Sequence, residues 1–71
     1  MIQQDLPAFR ALADPTRRAI LVMLRDQDLS VAQVSQQFDM TRAAVKKHLT
    51  VLSDGGLIFT QKRGRERINT L

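Results

Sequence analysis

Apolar residues recur at helical spacing in four successive stretches of this chain and then switch to alternation. Ile2, Leu6, Phe9 and Leu12 predict a first helix over residues 2–13, beginning close to Pro7 because proline is tolerated in a first turn and not in an interior. Asp14 and Pro15 mark the next start, aspartate as cap and proline at the first helical position. That helix runs through Thr16–Asp26, with Ala19, Ile20, Met23 and Leu24 as its buried stripe and Arg17, Arg18 and Arg25 outside. Leu29 is a short extended link. Ser30 with Gln33 three residues on makes a capping box for a third helix. Its Val31, Val34 and Phe38 face inward; Gln33, Gln36 and Gln37 face out. Phe38–Met40 is a tight turn. Thr41 then caps a fourth helix over about 41–54, in which Val45, Leu49 and Leu52 recur at i, i+4 and i+7.

Asp54–Gly55–Gly56 stops the fourth helix, glycine being free to take the left-handed conformation. Leu57 and Phe59 alternate with Ile58 and Thr60, which predicts a strand over Leu57–Arg63. Arg63–Gly64–Arg65–Glu66 is a turn and Arg67–Leu71 the return strand, with Ile68 or Leu71 closing the core. Two short helices joined by so brief a turn form a helix-turn-helix, and the hairpin beside it is a wing over about 57–71. The predicted fold is therefore mainly α with a small β-hairpin (α+β), a winged helix-turn-helix occupying residues 1–71 as a single domain. No repeat, low-complexity tract or linker is visible, and the final strand ends at the last residue.

The polar side of the fourth helix carries Arg42, Ala43, Lys46, Lys47 and Thr50, and no acidic residue follows until Asp54. A helix anchored by an apolar stripe, with cationic donors and small residues opposite, has the shape and charge to enter a DNA major groove. A solvated basic helix face is the plainer alternative. The charge distribution bears on the choice. Residues 1–40 hold four basic and five acidic side chains, a net of −1, whereas residues 41–71 hold seven basic and two acidic, a net of +5. The second half is thus the polyanion-facing half. The hairpin tip adds Lys62, Arg63, Arg65 and Arg67, placed to touch phosphates or a neighbouring minor groove. Charged edge strands also discourage aggregation, but the preceding helix-turn-helix favours the wing. Gln33, Gln36 and Gln37 suit neutral phosphate contacts or serve as ordinary surface. Phe9, Phe38 and Phe59, the only aromatics, are expected in the core rather than as base-stacking platforms, which leans the partner toward duplex DNA.

Other classes fall away on composition. A chain of 71 residues buries only roughly 60% of its unfolded surface, so the core is small. With no cysteine and one histidine, neither thiolate metal sites nor disulfides are available, and no cofactor is expected. No apolar run approaches the ~20 residues that cross a bilayer, and the N-terminus lacks a signal-peptide segment, so a soluble cytoplasmic protein is expected. No Ser/His/acid set, glycine-rich phosphate loop or paired carboxylates can be assembled, which argues against an enzyme.

The order of features resembles the ArsR-type winged helix-turn-helix repressors of bacteria. Four segments carry the likeness: FRALADPTRRAILVML (Phe9–Leu24), LSVAQVSQQFDMTRAAVKKHLTVL (Leu29–Leu52), GGLI (Gly55–Ile58) and KRGRERINTL (Lys62–Leu71). The resemblance implies duplex-DNA binding at operators, as a homodimer, and repression. It implies that Thr41, Arg42, Lys46 and Lys47 meet bases and phosphates, that Ala43 and Ala44 allow close approach, and that Arg63 and Arg65 serve the wing. His48 matches a histidine frequent in the family; it either packs and hydrogen-bonds or reads a base. Departures are equally informative. Metal-sensing members carry two cysteines where this chain has Ser30 and Ala32, so that metal site is absent. Other members place ligands on a last helix, which follows the wing and helps to form the dimer. Here, dimerisation relies on residues 1–13, through Ile2, Leu6 and Phe9, or the chain is a DNA-binding portion of a longer protein, or the interface differs. Asn69 stands where an aromatic is common, which is expected to weaken wing packing.

The expectation is a sequence-specific double-stranded DNA-binding transcriptional regulator, with Thr41, Arg42, Ala43, Lys46, Lys47, Thr50, Gln33, Arg63 and Arg65 on the DNA. A winged-helix protein-interaction adaptor is the alternative, because fold does not fix function. The +5 half argues against it.

Overall fold

The last three helices start where a short polar side chain can accept the N–H groups that helical geometry leaves unpaired. In the computed structural model, which describes residues 6–71, Asp14 accepts from the backbone N–H of Thr16 and Arg17 to open α2 (Pro15–Asp26). Ser30 and Gln33 form a reciprocal capping box on α3 (Val31–Phe38), and Thr41 accepts from Ala44 N–H to open α4 (Arg42–Asp54). Ahead of these lies α1 (Leu6–Leu12). The Ile2 end of the predicted first helix lies outside the described residues. A two-residue strand, β1 (Leu29–Ser30), precedes α3; β2 (Phe59–Arg63) and β3 (Glu66–Thr70) follow α4.

The sheet is antiparallel in the order β1–β3–β2, with Leu29 opposite Asn69 and Arg63 opposite Glu66. The hairpin turns through two residues, and Gly64 takes a φ of 62°, which a side chain would strain. Leu29, expected only as an extended link, is thus part of a third strand that fastens the wing to the helical body. Two residues are too few for alternation to reveal a strand.

The core is one cluster of Ala11, Ile20, Leu24, Leu29, Val31, Val34, Val45, Leu49, Leu52 and Ile58, with Met23 and Phe38 packed against its edge. The α4 stripe Val45, Leu49, Leu52 is buried as the periodicity requires. Asp39, in a left-handed conformation with φ of 51°, closes the turn between α3 and α4, its N–H donating to Ser35 O. The Ser35 hydroxyl donates to Met40 O across the same turn. At the far end of α4, a Cβ on Gly55 would stand 2.9 Å from Pro7 O, so the α1 backbone lies directly against this glycine.

Three findings bear on the expectations. First, α1 buries Ala11, whereas Leu6, Phe9 and Leu12 are exposed, so the predicted stripe, open to either core packing or a subunit contact, faces away from the core. Second, Phe9 and Phe59 are 61% and 70% exposed, so of the three phenylalanines only Phe38 joins the core edge. Third, neither Ile68 nor Leu71 closes the core. Asn69 is fully buried, its Nδ2 donating to Leu29 O at 3.0 Å and its Oδ1 accepting from the Thr60 hydroxyl at 3.3 Å. A buried amide with both ends satisfied ties the three strands together instead of weakening them.

Candidate nucleic-acid interface

At the helical pitch of 3.6 residues per turn, Arg42, Ala43, Lys46, Lys47 and Thr50 lie within an arc of about 140° on α4. All five are exposed, while Val45, Leu49 and Leu52 occupy the buried side. The Thr41 oxygen caps the helix by accepting from Ala44 N–H at 3.1 Å, which leaves its O–H to donate outward.

The hairpin stands beside this arc. Arg42 and Lys46 from α4 line one groove together with Lys62, Arg65, Glu66 and Arg67 from the wing and Ser30, Val31 and Ala32 from the start of α3. The groove has a volume of about 320 Å³. Small-molecule pockets of that size are mostly apolar, whereas this one carries five cations and two apolar side chains. It continues along α4 past Thr50 and Ser53, with Thr60 and Arg67 on the wing side. The helix and the hairpin therefore present their positive side chains to a common space. Two carboxylates also line it, Glu66 among the groove cations and Asp54 at the far end of α4.

Not every candidate lines this groove. Lys47 is exposed but lies farther round α4. Arg63 pairs with Glu66 at the hairpin end, on the face of β2 shared with Gln61, and its guanidinium donates to Gln61 Oε1 at 3.3 Å. Gln33 is exposed, but its Oε1 accepts from Ser30 N–H in the capping box, leaving only its amide N–H groups free. Conversely, Lys62 and Arg67, expected at the hairpin tip facing phosphates but not named among the DNA-binding residues, belong to the groove. They are register partners on the same face as Thr60 and Asn69, which turns both toward α4. Strand parity counted from Asn69 identifies them.

The arginines of α2 are occupied differently. Arg17 donates to Ala11 O and Arg10 O, both at 2.9 Å, and Arg18 donates to Leu12 O at 2.6 Å. They close the carbonyl end of α1, where a cation is favoured. His48 is half-buried, its Nδ1 3.4 Å from Arg17 Nη1, so the ring nitrogen accepts and the side chain belongs to this corner rather than to the exposed arc. The Asp14 carboxylate beside them is held below its ordinary range, chiefly by the Arg17 backbone N–H and against the cost of desolvation; the Thr16 N–H and the positive charge of Arg17 add to the lowering.

Comparisons with known proteins bear on the family and the fold. The helix-turn-helix domain family matches residues 12–59. The transcriptional repressor SdpR of Bacillus subtilis is 30% identical over 57 residues, covering 80% of this chain and 63% of its own length. The transcriptional activator HlyU of Vibrio cholerae is 36% identical over 62 residues, covering 87% of this chain and 57% of its own length. The chain thus spans about three-fifths of these curated relatives. A crystal structure of an ArsR family transcriptional regulator superposes with a TM-score of 0.92 at 39% identity, covering all of this chain and 73% of that one. With the helix order, the three-stranded wing sheet and these likenesses together, the chain belongs to the ArsR family of winged helix-turn-helix transcriptional regulators.

Proposed function

We propose that this chain is a sequence-specific double-stranded DNA-binding regulator that acts as a repressor in the cytoplasm, without catalysis of its own. The exposed arc of α4 enters the major groove and the wing lies on the backbone or the adjoining minor groove. Arg42 makes the bidentate guanine contact, since its planar fork matches the O6/N7 edge. Thr41, Ala43 and Thr50 approach bases and sugars closely. Lys46, Lys47, Arg63 and Arg65, with the amide of Gln33, meet phosphates. The observation that carries this reading is the shared groove: Arg42 and Lys46 on one wall, Lys62, Arg65 and Arg67 on the other. Repression is supported by the naming of SdpR as a repressor, set against HlyU, named an activator. The chain works as a homodimer, in which the exposed Leu6 and Phe9 of α1, with Ile2 from the same predicted stripe, meet their counterparts. A cleft lined by Leu6, Pro7, Arg10, Val51 and Asp54 adjoins that face.

Selection of bound duplexes from a random pool, followed by fluorescence anisotropy at two salt concentrations, tests the reading. The expected result is an enriched motif whose half-sites lie about 10 bp apart, with affinity falling steeply as salt rises. Failure to enrich any motif, with binding indifferent to salt, would overturn it. A promoter reporter carrying the motif decides between repression and activation.

A further inference from the structure

We infer that Asn69 is a positioning residue for DNA binding: its buried amide sets the angle of the wing against the helix-turn-helix. The inference rests on the DNA-binding function proposed above. Ile58 holds the base of the hairpin in the core, but all five residues of β2 beyond it are exposed, and β3 meets the helical body only at its inner end, Ile68–Thr70, beside the two-residue β1. At that junction Asn69 is fully buried and bonded on both sides, to Leu29 O at 3.0 Å and to the Thr60 hydroxyl at 3.3 Å. Apolar packing is non-directional, so an aliphatic side chain here would permit the hairpin to rock. An amide with two angle-dependent bonds does not. Asn69 and Thr60 are register partners, and Lys62 and Arg67 are the next partners on that face toward the tip. Any rotation about the Asn69 anchor therefore displaces these two groove cations.

The test compares wild type, Asn69→Leu, Thr60→Val and the double substitution Lys62→Ala/Arg67→Ala, alone and combined with Asn69→Leu, on one selected duplex. Each is measured well below its own Tm, by anisotropy across a salt series. Asn69→Leu is expected to weaken binding about tenfold and to lower the salt slope by about 2, close to 0.9 for each of two phosphates that the wing no longer neutralises. In that background Lys62→Ala/Arg67→Ala should have little further effect, because the cations no longer reach phosphate. A purely structural role would lower Tm and leave both the slope and the cation effect intact, and that result overturns the inference. Should Asn69→Leu fail to fold, Thr60→Val, which removes only the hydroxyl partner, must lower the slope in the same direction; an unchanged slope overturns the inference equally. A wild type without salt-sensitive binding overturns the DNA-binding function itself, and this inference with it. A wild type that binds while Asn69→Leu keeps its full slope overturns the inference alone.

Discussion

The α1–α2 corner and the α4–wing groove use the same residue type for opposite ends. In the corner, Arg17 and Arg18 direct their guanidinium groups onto the carbonyls of Arg10, Ala11 and Leu12, and Arg17 also meets His48. In the groove, Arg42, Arg65 and Arg67 line open space with Lys46 and Lys62. Among the described residues the one ion pair is Arg25–Asp26, at 3.7 Å and on the exposed end of α2, away from both regions. An arginine folded onto backbone carbonyls is thus withdrawn from a partner, whereas the groove cations are not. Formal charge overstates the supply in the first half of the chain and describes it well in the second.

The largest expected effect separates the two regions directly. Arg17→Ala should lower stability by about 2 kcal/mol, because charge-assisted bonds to helix-end carbonyls are lost, while duplex affinity of the folded protein is retained. Arg42→Ala should do the reverse: stability within about 0.5 kcal/mol of wild type, and about 1–3 kcal/mol of affinity lost on the selected duplex but not on random sequence. Urea denaturation paired with anisotropy reads both, and the contrast collapses if Arg42→Ala destabilises as much as Arg17→Ala. A smaller effect sharpens the division within α4. Lys47→Ala should weaken every duplex alike and reduce the salt slope by about 1, since a lysine meeting phosphate carries no sequence information.

The smallest effect is a pH dependence of the corner alone. The native pKa of Asp14 lies below its unfolded value, so the cap's contribution is full above the ordinary carboxylate range and is lost as pH falls through the native value. Asp14→Asn still caps a helix, and should flatten this part of the acid limb below about pH 4 with little change at pH 7. Thermal denaturation at pH 7 and pH 3 checks it. An acid limb unchanged by the substitution would place the titrating group elsewhere.

What the sequence made legible was local. Asp14–Pro15, Ser30 with Gln33, Thr41, Gly56 and Gly64 act on neighbours within a few positions, and each sits where its chemistry puts it. The buried stripe of α4 was legible for the same reason, and its opposite arc followed from it. Features that depend on distant partners were not. Asn69 is buried because Leu29, forty residues before it, lies across from it. Arg17 sits on the outer side of a helical wheel, yet its long side chain folds back over α1. Phe9 and Phe59 show that apolar character permits burial without requiring it. The groove lining was half legible: Arg42, Lys46 and Arg65 stand out along the chain, while Lys62 and Arg67 need the strand register to reveal which way they face.

The uneven placement of charge has a consequence for approach. Residues 1–40 nearly cancel, and the surplus of residues 41–71 gathers along α4 and the hairpin, so the molecule carries a large permanent dipole. A polyanion still a Debye length away, roughly 8 Å at physiological ionic strength, exerts a torque on that dipole. The protein arrives already turned, and fewer collisions are wasted on the wrong side.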